Sequence, residues 1–150
     1  MSMMFRIANP VVGLILRSPL NGMMSRSLLL VAYRGRRSGQ EHTLPVQYVR
    51  DGQSVYILVG NAEQKTWWRN LRGGQPVRLM IAGRSVAGRA EVWQGEGDVG
   101  RIAPALRLYL HRFPAAAAGR SIRTQGGGDF NADDLQQEAR SAVMVHVALS

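Results

Sequence analysis

Short alternating runs separated by two-residue turn signals constrain this chain more than any other feature. Asp51-Gly52 stands between a run over 41–50 and a second run over 54–59. An Asp-Gly pair is among the strongest hairpin signals, because glycine accepts the positive φ that such a turn demands. The two runs are therefore expected to lie antiparallel, side by side. Val77, Leu79 and Ile81 alternate with Arg78 and Met80, and Gly83 turns the chain into a partner strand over 85–93. The apolar run over 28–33 ends at Gly35-Arg36-Arg37-Ser38-Gly39, which reads as a buried strand entering a loop, and 142–149 forms a last strand.

Helical signals are fewer. Thr66 is placed to cap a short helix through Trp67, Trp68, Asn70 and Leu71, which Gly73-Gly74 ends. From Asp98 the positions Ile102, Leu106, Tyr109, Leu110 and Phe113 recur at three- and four-residue steps, giving an amphipathic helix over 98–113 that Pro114 stops. The alanines over 115–118 and the glycines over 126–128 bracket a segment expected to be a mobile loop, and Asn131 or Asp133 caps a short helix after it. No repeat or linker divides the 150 residues, so the expectation is one domain over 1–150. Its parts are a helical segment over 1–26, core strands over 27–95, the long helix and the closing strand. The class is mainly β (α+β), with five or six strands in a small antiparallel barrel, because closure removes exposed strand edges.

Composition removes several chemistries. Cysteine is absent, which excludes thiolate nucleophiles, iron–sulfur clusters and disulfides. His42, His111 and His146 show no metal-ligand spacing, so no metal site is expected. Ser38, His42 and Asp51 are not ordered as a triad, since Asp51 serves a turn. The apolar run over 10–16 is too short to span a bilayer, and Arg17, Ser18 and Pro19 interrupt it too soon for a secretory signal, so the default location is the cytoplasm. Arg6, Arg17 and Arg26 alternate with methionines and aliphatics in a pattern that suits either an anionic membrane surface or an amphipathic helix over one barrel mouth. Nineteen basic residues face ten acidic ones, and Lys65 is the single lysine, so the positive charge is almost all guanidinium. Arginine grips carboxylates and phosphates with a bidentate fork, which points to an anionic ligand. The arginines are spread along the chain with no aromatic-rich strand motif, which argues against nucleic acid as the partner.

The ordered set Gly35-Arg36-Arg37-Ser38-Gly39, Pro45, Tyr48, Asp51-Gly52 and Trp67-Trp68-Arg69-Asn70-Leu71 resembles the deazaflavin-dependent nitroreductase family. The likeness extends from Asn9-Pro10 through Leu16-Arg17-Ser18-Pro19 to Ala90, with a familiar closing region over 129–149. It implies the FMN-binding split-barrel fold and coenzyme F420, a hydride carrier with an acidic phosphate and oligoglutamate tail. It also implies that Arg36, Arg37, Ser38, Pro45 and Tyr48 line the cofactor pocket. Gly60, Asn61 and Ala62 then occupy the phosphate loop, with Lys65 just downstream, and Trp67, Trp68 and Asn70 pack near the ring. Family members that reduce nitroimidazoles carry tyrosines after the long helix, where this chain has Phe113, Pro114 and four alanines. The substrate therefore stays open among quinones, enones and nitro compounds.

The residues support the same ligand class by their own chemistry. Arg36, Arg37, Lys65, Arg69 and Arg72 all fall at one end of the expected barrel, where they form a cationic rim that focuses potential on an anionic tail. On a helix Trp67 and Trp68 diverge by about 100°, so one faces the core and the other a ligand. Asn70 serves either a loop backbone or a substrate, and Tyr48 either a ligand or ordinary packing. Tyr109 and His111 are the candidate proton donors, with core packing the competing role for Tyr109. The alternatives are FMN, a tetrapyrrole or a lipid in the same barrel without catalysis, and pairing into a homodimer.

Overall fold

The computed structural model describes residues 27–150. The helical segment expected over 1–26, its membrane-surface pattern and the part of the resemblance that falls there lie outside the described residues. Seven strands form one antiparallel sheet: β1 (Leu28–Arg34), β2 (Glu41–Gln47), β3 (Val49–Asp51), β4 (Ser54–Leu58), β5 (Gln75–Ile81), β6 (Arg84–Gln94) and β7 (Val143–Leu149). Their order is β2-β1-β5-β6-β7-β4-β3, and the α-helices among the described residues are α1 (Val99–Arg112) and α2 (Ala132–Ala139).

The single strand expected over 41–50 is divided, which raises the strand number to seven. Residues 41–47 pair with β1, whereas 49–51 pair with β4. Tyr48 is the point of exchange, and its amide donates to the Ser27 carbonyl at 3.3 Å. Because β2 and β3 are opposite edges of the sheet yet adjacent in the chain, the sheet must curl until its edges meet. Beyond the junction β2 and β4 have no ladder between them, and the barrel is split there.

The two hairpins use their glycines differently. In β3–β4, Asp51 pairs with Ser54, so the loop is Gly52-Gln53 with Gly52 at φ 61°, one residue later than the Asp51-Gly52 signal suggests. In β5–β6 the loop is Ala82-Gly83, both at positive φ. Alternate residues of each strand then fill the barrel: Val143, Val145 and Val147 of β7 meet Leu29, Val31, Val55, Ile57 and Leu79. Burying each such aliphatic side chain stabilises the fold by about 1.5–3 kcal/mol.

The opposite sheet face carries the helices. Met144 and Trp93 pack with Ile102, Leu106 and Leu110 of α1 and with Leu135 and Ala139 of α2. Asn131 caps α2 by accepting from the Asp134 amide at 3.0 Å, while Thr66 makes no side-chain cap and Trp67–Leu71 is a single 3-10 turn. The segment expected as a mobile loop is tied at several points. Pro114–Ala117 forms a 3-10 turn, Ala117, Ile122 and Phe130 are buried, and Arg107 and Arg123 pair with Asp129 and Asp134 at 2.6 and 2.8 Å. Glycine content alone did not reveal these apolar and ionic anchors. No described helix is long and apolar enough to cross a membrane.

His146 makes the fold sensitive to acid. Its ring stacks on Trp93 with centroids 4.6 Å apart, and Nε2 lies 2.9 Å from the Ser54 hydroxyl. Burial holds its pKa below the ordinary imidazole value, although Glu91 pulls the other way. The unfolded chain therefore takes up a proton at a higher pH than the folded one. The resulting stability is present above about pH 6.5 and is lost as pH falls through the lower folded value. Chemical denaturation is expected to show stability declining between about pH 7 and pH 5. That slope is expected to flatten in His146→Gln, and an unchanged slope in the variant would refute the assignment. Asp98, Asp129 and Asp134 have lowered pKa values, so their contributions fade only below the ordinary carboxylate range.

Candidate functional site

The split between β2 and β4 opens a cleft of about 690 Å³. Leu44, Val46, Ile57 and Val59 form its apolar floor, since these positions also face the barrel core. Trp67 makes one wall, half-buried and tilted against Tyr33 with centroids 6.3 Å apart. Tyr109 makes another from α1. It is 3 % exposed, and its hydroxyl donates to Gln47 Oε1 at 3.1 Å, bridging helix and strand across the cleft. Burial raises the Tyr109 pKa, so the phenol keeps its proton at neutral pH, and the nearby Arg120 charge opposes that rise. Among the described residues the charged groups lining this cleft are Lys65 and Arg120, and no carboxylate lines it.

A second cleft of about 460 Å³ adjoins the first, with Val59 and Arg120 common to both. Its character is cationic: Arg69, Arg72 and Arg120 line it, with Glu63 as its carboxylate. Arg69 and Arg72 are held over the Trp68 ring, their guanidinium carbons 5.2 and 4.9 Å from its centroid. Trp68 is 3 % exposed and donates its indole N–H to the Ala62 carbonyl at 3.0 Å, pinning the loop after β4, where Asn61 adopts φ 51°. Arg120 is itself fixed by Glu138, Nη1 to Oε1 at 3.1 Å.

The structure divides the residues singled out by sequence. Pro45, Gly60, Lys65 and Trp67 line the first cleft; Asn61, Ala62 and Trp68 line the second. Trp67 is thus the tryptophan that faces the open cleft, and Trp68 the one buried in the core. Arg36, Arg37, Ser38, Tyr48 and Asn70 line neither. Asn70 accepts from the Arg36 amide at 2.9 Å and donates to the Trp67 carbonyl at 3.1 Å, so it ties the loop after β1 to the tryptophan turn. Ser38 Oγ accepts from the Gln40 amide at 3.1 Å and closes that loop. Tyr48 is buried at the strand exchange. His111 sits apart from the first cleft, paired with Asp129 at 3.2 Å on the other side of α1. Gln47 and Arg120 are site residues that the sequence did not single out. Gln47 follows Pro45 by two places in the strand and was legible by alternation, whereas Arg120 comes from an irregular segment with no periodic signal.

A curled antiparallel sheet split between two strands, with an apolar cleft at the split and a cationic cleft beside it, defines the split-barrel class of fold. The fold likeness to solved structures agrees. One, described as a domain-swapped dimer, superposes with a TM-score of 0.58 at 13 % identity, covering 92 % of this chain and 93 % of the other. Another, the F420-H2 dependent reductase FDR-A, gives 0.55 at 14 % identity, covering 83 % and 95 %. The profile of the F420H(2)-dependent quinone reductase family matches residues 13–107, and the chain belongs to that family. A Mycobacterium tuberculosis protein bearing the name of an F420H(2)-dependent quinone reductase, Rv3178, is 32 % identical over 79 residues. That stretch takes in 43 % of this chain and 65 % of the relative, so the chain spans just under two thirds of the relative's length.

Proposed function

We propose that this chain is an F420-dependent reductase that delivers hydride to a small organic acceptor, a quinone foremost, with enones and nitro compounds as further acceptors. The observation that carries the proposal is the pair of adjoining clefts of opposite character, one apolar and walled by Trp67, the other lined by Arg69, Arg72 and Arg120. A flat ring bearing a phosphate and glutamyl handle has the same two-part character. Family membership supports the same cofactor.

In this reading the ring lies over Leu44, Val46 and Ile57 against Trp67, where an indole face favours stacking and the apolar floor excludes water. The anionic handle lies in the second cleft, and the loop Gly60, Asn61 and Ala62, with Lys65, turns it from one cleft to the other. Arg36 and Asn70 tie the loop after β1 to the tryptophan turn, Ser38 closes that loop, and Tyr48 sets the strand exchange from which the cleft opens. When bound, the reduced deazaflavin supplies the hydride. The protein contributes orientation and a dry, positively charged surround. Tyr109 carries its phenol proton at neutral pH and lines the cleft, so its hydroxyl, on release from Gln47, is placed to protonate the oxygen or carbon left anionic in the acceptor. His111, turned to Asp129, is the weaker candidate for that role. Pairing into a homodimer and a cytoplasmic setting belong to the same proposal, and light scattering and cell fractionation test them.

The test is a titration of the purified chain with F420, with the same deazaflavin lacking phosphate and glutamates, and with FMN. The expected order is F420 tightest, the tail-less ring weaker by at least about tenfold, and FMN weaker than F420, since charge-assisted hydrogen bonds contribute about 1.5–3 kcal/mol each. Tighter binding of FMN would instead mark a flavin protein. Reduced F420 that binds and transfers no electrons to any quinone would refute the enzymatic reading.

A further inference from the structure

The polar groups of the first cleft are not equally available to a ligand. Tyr109 and Gln47 already bond each other at 3.1 Å, so a neutral polar substituent entering the cleft must break that bond to gain one. The cations gain more. Arg120 spends one donor on Glu138, which approaches from outside both clefts and fixes the guanidinium in place. A guanidinium carries five donors, so capacity remains for a second carboxylate. Its side chain is 20 % exposed, which limits screening by solvent. The arginine also acts on the first cleft and not on the second alone, because its charge bears on the Tyr109 phenol. Beside it, the small side chain of Ala116 leaves room that a larger one would fill. Arg120 lies beyond residues 13–107, so the family profile assigns it nothing.

We propose that Arg120 makes this cleft select acceptors that carry a carboxylate, or another oxyanion, beside the ring to be reduced. Arg69 and Arg72 remain in the second cleft for the cofactor handle, so the two anions have separate partners. The inference rests on the reductase reading for the identity of the ligand as an acceptor, while the anion preference itself is measurable without turnover.

The experiment is calorimetric titration of the full chain with naphthoate and with naphthamide, in the presence and absence of oxidised F420. These probes share a ring and differ in charge. Wild-type protein is expected to bind naphthoate at least about tenfold more tightly, the order expected for one charge-assisted pair. Arg120→Gln should bring the two within about threefold, whereas Glu138→Gln, which breaks the same ion pair and keeps the guanidinium, should retain the preference. Arg101→Gln, on α1 with its guanidinium over Trp93 and lining neither cleft, is expected to change neither probe. Equal binding of the probes by the wild type, or a preference that survives Arg120→Gln, overturns the proposal. So does an Arg120→Gln variant that weakens F420 tenfold and leaves the naphthoate preference intact, since Arg120 would then serve the cofactor. Nitrogen NMR of the wild type needs no variant: the Arg120 Nε resonance should move with naphthoate and not with naphthamide, and an unmoved resonance overturns the assignment. If F420 fails to bind while the Arg120-dependent preference persists, the cofactor reading falls and the anion selectivity stands.

Discussion

Trp68→Ala is expected to lower the free energy of unfolding by about 3–5 kcal/mol, the range for removing a buried tryptophan. Trp68 is 3 % exposed in the barrel core beside Leu71, and its indole N–H satisfies the Ala62 carbonyl at 3.0 Å. Alanine would leave a cavity and an unpaired acceptor at once. For a domain of this size each kcal/mol moves the midpoint by roughly 2–4 °C, so the melting temperature should fall by about 6–20 °C. Against a total stability of about 5–15 kcal/mol, that loss is between roughly a fifth and the whole of it. Trp67→Ala gives the contrast. Trp67 is half-buried at the cleft wall, so its loss should cost much less stability and should weaken ring binding more. Urea denaturation of both variants decides the matter: a Trp68→Ala loss below about 1 kcal/mol would mean that the indole is not the anchor of this end of the barrel.

The second large effect concerns charge. The double variant Arg69→Gln, Arg72→Gln is expected to weaken F420 by at least about tenfold and the tail-less deazaflavin by no more than about twofold, since in the proposed arrangement only the handle meets these guanidiniums. Raising the salt should narrow the gap between the two ligands in wild type and leave the double variant little changed. Arg36→Ala and Arg37→Ala should act more weakly. The backbone amide of Arg36, not its charge, makes the 2.9 Å bond to Asn70, and among the described residues its guanidinium reaches the Arg69 carbonyl at 3.4 Å. If both pairs of variants weaken the two ligands equally, the arginines support the loops and do not grip an anion.

The tail of Asp129 illustrates how the ionic anchors of the irregular segment work. Its carboxylate is held far below the usual range by the Arg107 guanidinium, with the Phe130 amide and His111 adding to the effect. That arrangement consumes His111, which is why the two proton-donor candidates of α1 part company. Two residues along a helix are about 200° apart, so when Tyr109 turns to the barrel its neighbour must turn away.

Much of the fold was legible because its causes are local. Alternation in 77–81 and 143–149 depends on which face of a pleat each residue takes, and the turns at Gly52 and Gly83 depend on positive φ. The α1 stripe of Ile102, Leu106, Tyr109 and Leu110 was equally plain, and the motif around Trp67, Trp68 and Asn70 marked one end of the barrel. Sequence alone thus determined an antiparallel β domain with a cationic, aromatic end and the class of ligand suited to it. The tertiary structure decided the rest. Tyr48 exchanges strand partners, Trp67 and not Trp68 meets the apolar cleft, and Arg120 enters that cleft from a segment without periodicity. Each of these depends on contacts between residues tens of positions apart, and such contacts are settled by how a curled sheet closes, not by any property of the neighbouring residues in the chain.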